Sequence, residues 1–132
     1  MYLMVRNQSK EDYIEAILLL RKLHGSCRSV DVARHLGFSK PSVSIAVSKL
    51  IEEGYVIRED HGELVLTEKG MEEASEVLAR HEFLKNFLIR IGVDEKTADQ
   101  DACRMEHAFS DETFAKMKSF AEKEGLIVAA AE

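Results

Sequence analysis

Apolar residues in the segment 9–24 (SKEDYIEAILLLRKLH) fall at Tyr13, Ile14, Ala16, Ile17, Leu20 and Leu23. That stripe has a helical period and predicts a first helix, with Ser9 as its cap, Asp12 at the capping-box position and Gly25 as its stop. Val32, Ala33 and Leu36 predict a short second helix over about 29–36, capped by Ser29. Gly37 supplies a tight turn, where a positive φ costs least. Ser39 then caps a third helix with Pro41 in its first turn, where a missing N–H costs nothing. Its inward stripe is Val43, Ala46, Val47, Leu50 and Ile51, and Gly54 ends it. The pattern next changes to alternation. Residues 55–58 and 63–67 read as strands around Glu59-Asp60-His61-Gly62, a hairpin. Thr67 caps a long fourth helix, about 68–91, with the stripe Met71, Ala74, Val77, Leu78, Leu84, Phe87, Leu88 and Ile91. Helices over about 95–108 and 111–124 complete the chain, the last with Phe114, Met117, Phe120 and Ala121 on one face. The predicted fold class is mainly α with one small β-hairpin.

The order helix, glycine turn, helix opened by Ser-Lys-Pro-Ser, hairpin across residues 28–70 is that of a winged helix-turn-helix. It divides the chain into a DNA-binding domain over 1–70, whose hairpin is the wing, and a helical domain over 71–132. In such a unit the start of the second helix of the motif enters the major groove of duplex DNA. Here that edge presents Ser39, Lys40, Pro41, Ser42, Ser44 and Ile45. Ser42 and Ser44 suit base edges or phosphates, and Pro41 and Ile45 suit a thymine methyl. Lys40, Lys49 and Arg58 are phosphate-contact candidates, which add affinity without sequence information. No Arg, Asn or Gln lies on the edge, so DNA shape and apolar contact are expected to carry much of the specificity.

Net charge, −6, argues against that partner until its distribution is seen. Residues 1–70 carry ten basic and ten acidic side chains, and residues 32–51 hold Arg34, Lys40 and Lys49 with no acid. The whole excess of acid sits in residues 71–132. No run of about 18 apolar residues predicts a membrane helix, and the N-terminus lacks the pattern of a signal peptide. Two cysteines, Cys27 and Cys103, argue against a disulfide framework and for a cytoplasmic protein with reduced thiols. Cys27 has no ligand-type neighbours and reads as structural or incidental.

The acidic half gains a purpose from a second constellation. Cys103, Glu106 and His107 stand at i, i+3 and i+4, on one face of the predicted fifth helix. Asp12 and Glu15 stand at i, i+3 on the first helix, and His81 interrupts the apolar stripe of the fourth. Singly, each is an ordinary core or surface residue. Together, three helices offer a ligand set for a divalent transition metal, whose charge would neutralise carboxylates brought together. Lys85 follows His81 by four residues, so no zinc-protease motif exists. Nor is there a glycine-rich phosphate loop or any support for nucleophilic catalysis. The chain reads as no enzyme, with no small-molecule substrate.

The blocks EDYIEAI, SKPSVSIAVSKLIEEGYV, LTEKG, ARHEFLKNFLIRIGVDE and DACRMEHAFSDE resemble the iron- and manganese-dependent repressors, the family of the diphtheria toxin repressor and the manganese transport regulator. The resemblance spans roughly residues 9–124. It implies a dimeric, metal-activated repressor that binds operator DNA and controls metal-homeostasis genes. The family's ligand positions match Asp12, Glu15, His81, Cys103, Glu106 and His107 here. Asp12 and Glu15 resemble the manganese branch, and Cys103 the iron branch. Lys85 stands where iron-type members place a carboxylate of an ancillary site, so His81 is expected to join a site with Glu15 and Glu106 instead. The chain stops where iron-type members continue into an SH3-like domain, so a short form without that domain is expected.

Carboxylates and imidazoles suit Fe²⁺ and Mn²⁺, while the thiol tilts the choice towards Fe²⁺ and admits Zn²⁺ or Co²⁺ in vitro. A metal joining the first helix to the fourth and fifth is expected to select the geometry in which two reading heads match half-sites about 34–36 Å apart. The homodimer is expected to use the fourth to sixth helices, with Phe114, Met117, Phe120 and Leu126-Ile127-Val128. Two other readings stand beside this one: a winged-helix regulator with no metal switch, and a small metalloenzyme.

Overall fold

The structure, a computed structural model, describes residues 8–126, with side-chain surroundings from Ser9 onward. Its elements are α1 (Gln8–His24), α2 (Ser29–Leu36), α3 (Lys40–Glu52), β1 (Val56–Arg58), β2 (Leu64–Leu66), α4 (Glu68–Arg90), α5 (Glu95–Met105) and α6 (Asp111–Lys123). The chain divides into two compact units, one formed by Gln8–Glu76 and the other beginning at Val77, within α4. The fold class is the expected one: a helical chain with a single two-stranded antiparallel hairpin among the described residues.

In the first unit, α1 packs on α2, α3 and β2, and α3 packs on α2 and β1. Ile14, Ile17, Val32, Val43, Val47, Val56 and Leu64 are fully buried in it. Apolar burial of this kind contributes roughly 1.5–3 kcal/mol per large side chain. Gly37 terminates α2 in the left-handed region (φ 74°), which lets α3 start at once in a new direction. Ser39 caps α3, its hydroxyl accepting the Ser42 N–H at 3.2 Å. Thr67 caps α4 in the same way, accepting the Gly70 N–H at 3.1 Å.

The hairpin pairs Val56 with Leu66, Ile57 with Val65 and Arg58 with Leu64. Val56, Leu64 and Leu66 face the core, while Ile57 and Arg58 are exposed. Its tip is a single 3₁₀ turn, Asp60–Gly62, in which His61 takes a positive φ of 68°. Tyr55, at the hairpin base, accepts a hydrogen bond from the Lys10 ammonium at 3.0 Å, and the Lys69 ammonium lies 4.3 Å from its ring centre. Gly70 is required here by space alone, since a Cβ on it would lie 2.1 Å from the Tyr55 carbonyl oxygen.

The second unit is built differently. Phe83, Leu84, Ala102 and Ala121 form a small core, joined by Phe87, Met105, Phe109, Phe114, Met117 and Leu126. Phe114 meets Phe83 edge-on at 5.3 Å between ring centres. Arg80 is only 3% exposed, donates to the Phe109 carbonyl at 3.0 Å, pairs with Asp111 and lies over the Phe114 ring. A buried guanidinium this fully engaged ties α4 to the link between α5 and α6.

Several sequence expectations are corrected. Arg28, not Ser29, is the N-cap of α2, because Asp31 reaches back to accept the Arg28 N–H at 2.9 Å. Ser9 lies inside α1, whose described residues already include Gln8. α5 ends at Met105 rather than near 108, because the Ala108 N–H turns to the Met105 carbonyl and tightens the last turn. Leu23, Met71, Ile91 and Phe120 carry the right period yet stay exposed. Phe114 and Met117, expected at a dimer surface, are partly buried against the core cluster of their own chain.

Candidate metal centre and nucleic-acid interface

Glu106 is the centre of a buried polar cluster in the second unit. It retains helical backbone angles as the C-cap of α5 and is 1% exposed. One of its carboxylate oxygens lies 2.8 Å from His81 Nδ1 and the other 3.3 Å from His107 Nε2. The second ring nitrogen of His81, Nε2, lies 2.9 Å from the Asp99 carboxylate. An imidazole with carboxylates on both nitrogens is held as the imidazolium. Hydrogen bonding to Cys103, then to Glu106 and Asp99, outweighs burial and pushes the His81 pKa up to about 11. Asp99 is held below the usual carboxylate range, chiefly by its bond to His81 and further by Lys85, whose ammonium is 3.6 Å away.

Four of the six candidate ligands, His81, Cys103, Glu106 and His107, are thus neighbours within one unit. Asp12 and Glu15 lie on α1 in the other unit, both half-buried. Among the described residues, no group of three or more His, Cys, Asp and Glu side chains converges as a formed metal site. The donor set nonetheless fits a divalent transition metal. It holds two imidazoles, a thiol and a buried carboxylate, and the proton on His81 occupies the place of a positive charge. Asp99 escaped sequence reasoning. Its signal was present, because Asp99, Cys103 and Glu106 stand at i, i+4 and i+7 and share a helix face. Cys27 behaves as structural. It is fully buried, and that burial pushes its thiol up to about 11.

All eight candidate DNA-contact residues, Ser39, Lys40, Pro41, Ser42, Ser44, Ile45, Lys49 and Arg58, are exposed in the first unit. Ile45 is 73% exposed on α3, on the face opposite the fully buried Val43 and Val47. An apolar side chain left so open on the predicted reading edge is not accounted for by the core. The Ser39 hydroxyl donates to Ser42 Oγ at 2.9 Å, so those two side chains are set by the cap before any ligand arrives. The described helices include none long and apolar enough to cross a membrane.

Two family models match, the iron dependent repressor N-terminal DNA binding domain over residues 7–64 and the iron dependent repressor metal binding and dimerisation domain over residues 67–123. The chain belongs to the iron-dependent repressor family. It is a metal-dependent, DNA-binding transcriptional regulator of a family of repressors rather than enzymes. An uncharacterized HTH-type transcriptional regulator of Methanocaldococcus jannaschii is 40% identical over 119 residues, covering 89% of this chain and 95% of that one. The HTH-type transcriptional regulator MntR of Bacillus subtilis is 41% identical over 102 residues, covering 77% and 72%. A solved manganese-dependent transcriptional repressor in complex with manganese superposes with a TM-score of 0.76 at 28% identity. That match covers 89% of this chain and 53% of the other, so this chain spans about half the length of that neighbour.

Proposed function

We propose that this regulator represses metal-homeostasis genes by binding double-stranded operator DNA as a homodimer when Fe²⁺ or Mn²⁺ is bound. The observation that carries the reading is the buried Glu106 carboxylate shared by His81 and His107, with Cys103 and Asp99 also engaging His81. Glu106, His81, His107 and Cys103 would hold the metal in the helical domain, and Asp12 and Glu15 would complete the set from α1. When bound, the cation supplies the charge that compensates these carboxylates. The chain's own residues do the rest. Glu106 bonds His81 and lies 3.3 Å from the His107 ring nitrogen, so a change at one imidazole is felt at the other through the shared carboxylate. His81 must release a proton before its ring nitrogen can act as a donor. Exposed Ile89, Ile91 and Phe120 are the candidates for the dimer surface of α4 to α6, while Ile127 and Val128 lie outside the described residues.

Domain limits of 1–70 and 71–132 assign DNA reading to the first part and metal binding with dimerisation to the second. The relative solved with manganese supports Mn²⁺, and Cys103 supports Fe²⁺. Operator binding by fluorescence anisotropy, with Mn²⁺, with anaerobic Fe²⁺ and with chelator, is the test. Metal-dependent affinity is expected, and equal affinity in chelator would overturn the reading. Cys103→Glu is expected to shift preference towards Mn²⁺. A regulator with no metal switch would give one affinity in every buffer.

A further inference from the structure

Three elements of the DNA-reading unit converge on a cleft of about 330 Å³, lined by Ser29, Val30, Lys40, Ser44 and Arg58. Ser29 and Val30 are the first two residues of α2, Lys40 and Ser44 stand one turn apart at the start of α3, and Arg58 ends β1. Two cations and two hydroxyls around one small opening make a seat for an anion with several acceptor oxygens. The first N–H groups of a helix have no intrahelical partner and add donors of the same kind. The capping of α2 matters here. Arg28 serves as N-cap, so the Ser29 hydroxyl is not spent on capping.

Four other cations of this unit have partners elsewhere. Arg34 pairs with Asp31, Arg21 donates to the Leu64 carbonyl, and Lys10 and Lys69 engage Tyr55. Lys40 and Arg58 have no carboxylate partner among the described residues. Directly beyond Arg58, at the hairpin tip, the charge reverses, with Glu59, Asp60 and Glu63 lining a second cleft of about 420 Å³. A polyanion is therefore repelled by the tip itself and attracted to the Lys40 and Arg58 cleft beside it. The cleft also divides the leading edge of α3. Lys40 and Ser44 line it, whereas Pro41 and Ile45, also one turn apart, are exposed outside it.

We propose that this cleft seats a single backbone phosphodiester of duplex DNA, held jointly by Lys40, Arg58, Ser29 and Ser44, and so sets the depth at which Pro41 and Ile45 meet the bases. The inference rests on duplex binding by this unit. It makes Ser44 a positioning residue rather than a base reader, and it adds Ser29 to the interface.

The test is the salt dependence of operator binding by the full chain with Mn²⁺, for the unsubstituted protein, Lys40→Gln, Arg58→Gln and the double variant. The double variant is expected to lower the slope of log affinity against log salt by about 0.9 per subunit, the contribution of one phosphate. Each single variant is expected to lower it by no more than that, because the remaining cation still serves the same phosphate. Duplexes carrying one neutral methylphosphonate at a time locate the seat. At one position per half-site the unsubstituted chain is expected to lose roughly 10-fold in affinity, the scale of one charge-assisted hydrogen bond, and the double variant nothing more. Additive losses at every position, or a slope that falls in the double variant by the contribution of two phosphates, would overturn the shared seat. So would inorganic phosphate binding that is lost in the double variant while its DNA slope is unchanged, which marks a site for a free phosphate. Metal-dependent binding that is intact with an unchanged slope in all variants overturns the cleft alone. Failure of the unsubstituted chain to bind duplex in any metal overturns the regulator reading as well.

Discussion

The two units of this chain bury opposite things. The DNA-reading unit hides a continuous apolar core and keeps its proposed DNA-contact side chains, Lys40, Ser44, Ile45 and Arg58, in the open. The helical unit hides Arg80, His81, Glu106 and His107, and leaves Ile89, Ile91 and Phe120 exposed. The difference follows from what each does. A surface that docks on a polyanion needs rigid backing and desolvates its charges only on contact. A sensor needs charges already out of water, mutually compensated, so that exchanging a proton for a metal changes their balance.

The sharpest way to break this contrast is Glu106. Glu106→Ala leaves two buried imidazoles without their shared acceptor and is expected to cost about 3–5 kcal/mol in the metal-free protein, read by urea denaturation. Glu106→Gln keeps the shape, and it is expected to stay folded while operator binding loses all response to Mn²⁺. A retained response would remove Glu106 from the sensing cluster. In the reading unit, the largest loss should come from an apolar side chain with no functional role. Leu50→Ala on α3 is expected to cost about 2–5 kcal/mol by the same measurement, with metal affinity unchanged.

Gly70→Ala tests close packing between α4 and the hairpin base. In an open helix this change stabilises by about 1 kcal/mol. Here the new methyl meets the Tyr55 carbonyl, so a destabilisation of about 1–3 kcal/mol is expected, and a gain in Tm would show that contact to be looser than drawn.

The proton on His81 gives a gentler test. Its folded-state pKa is raised from 6.5 to about 11, so its contribution to stability is fully present below about 6.5 and is lost as pH rises through about 11. In chelator, the stability of the metal-free protein is expected to decline across that window, and His81→Gln to remove the decline. A flat profile in the unsubstituted protein would mean that His81 is not held as the cation. The smallest effect on folding belongs to Ile45→Ala, expected within about 0.5 kcal/mol of no change, although operator affinity falls. A large loss of stability there would place Ile45 in the core rather than on the DNA edge.

Each element was legible where local chemistry decided it. Ser39 and Thr67 cap their helices, Gly37 turns in the left-handed region and the hairpin falls between residues 55 and 67, all as the pattern predicts. Legibility failed where a side chain had two uses. Ser29 is a better intrinsic cap than Arg28, yet Asp31 closes the capping box on Arg28 and leaves Ser29 on the cleft. Period alone placed Phe114 and Phe120 on one face, but only packing against Phe83 distinguishes the core residue from the exposed one.

By itself the sequence determined the helical class, the limits of α3 with its exposed leading edge, and the presence of metal-type donors, because caps, turns and apolar period are written within a few residues. Which donors meet was decided in three dimensions. His81 and Glu106 are 25 positions apart in the chain and 2.8 Å apart in space, and Asp99 joins them through the second ring nitrogen. Convergence of Ser29, Lys40, Ser44 and Arg58 on one cleft likewise belongs to the tertiary fold. Long-range juxtaposition depends on how whole elements pack, and no local window of residues records it.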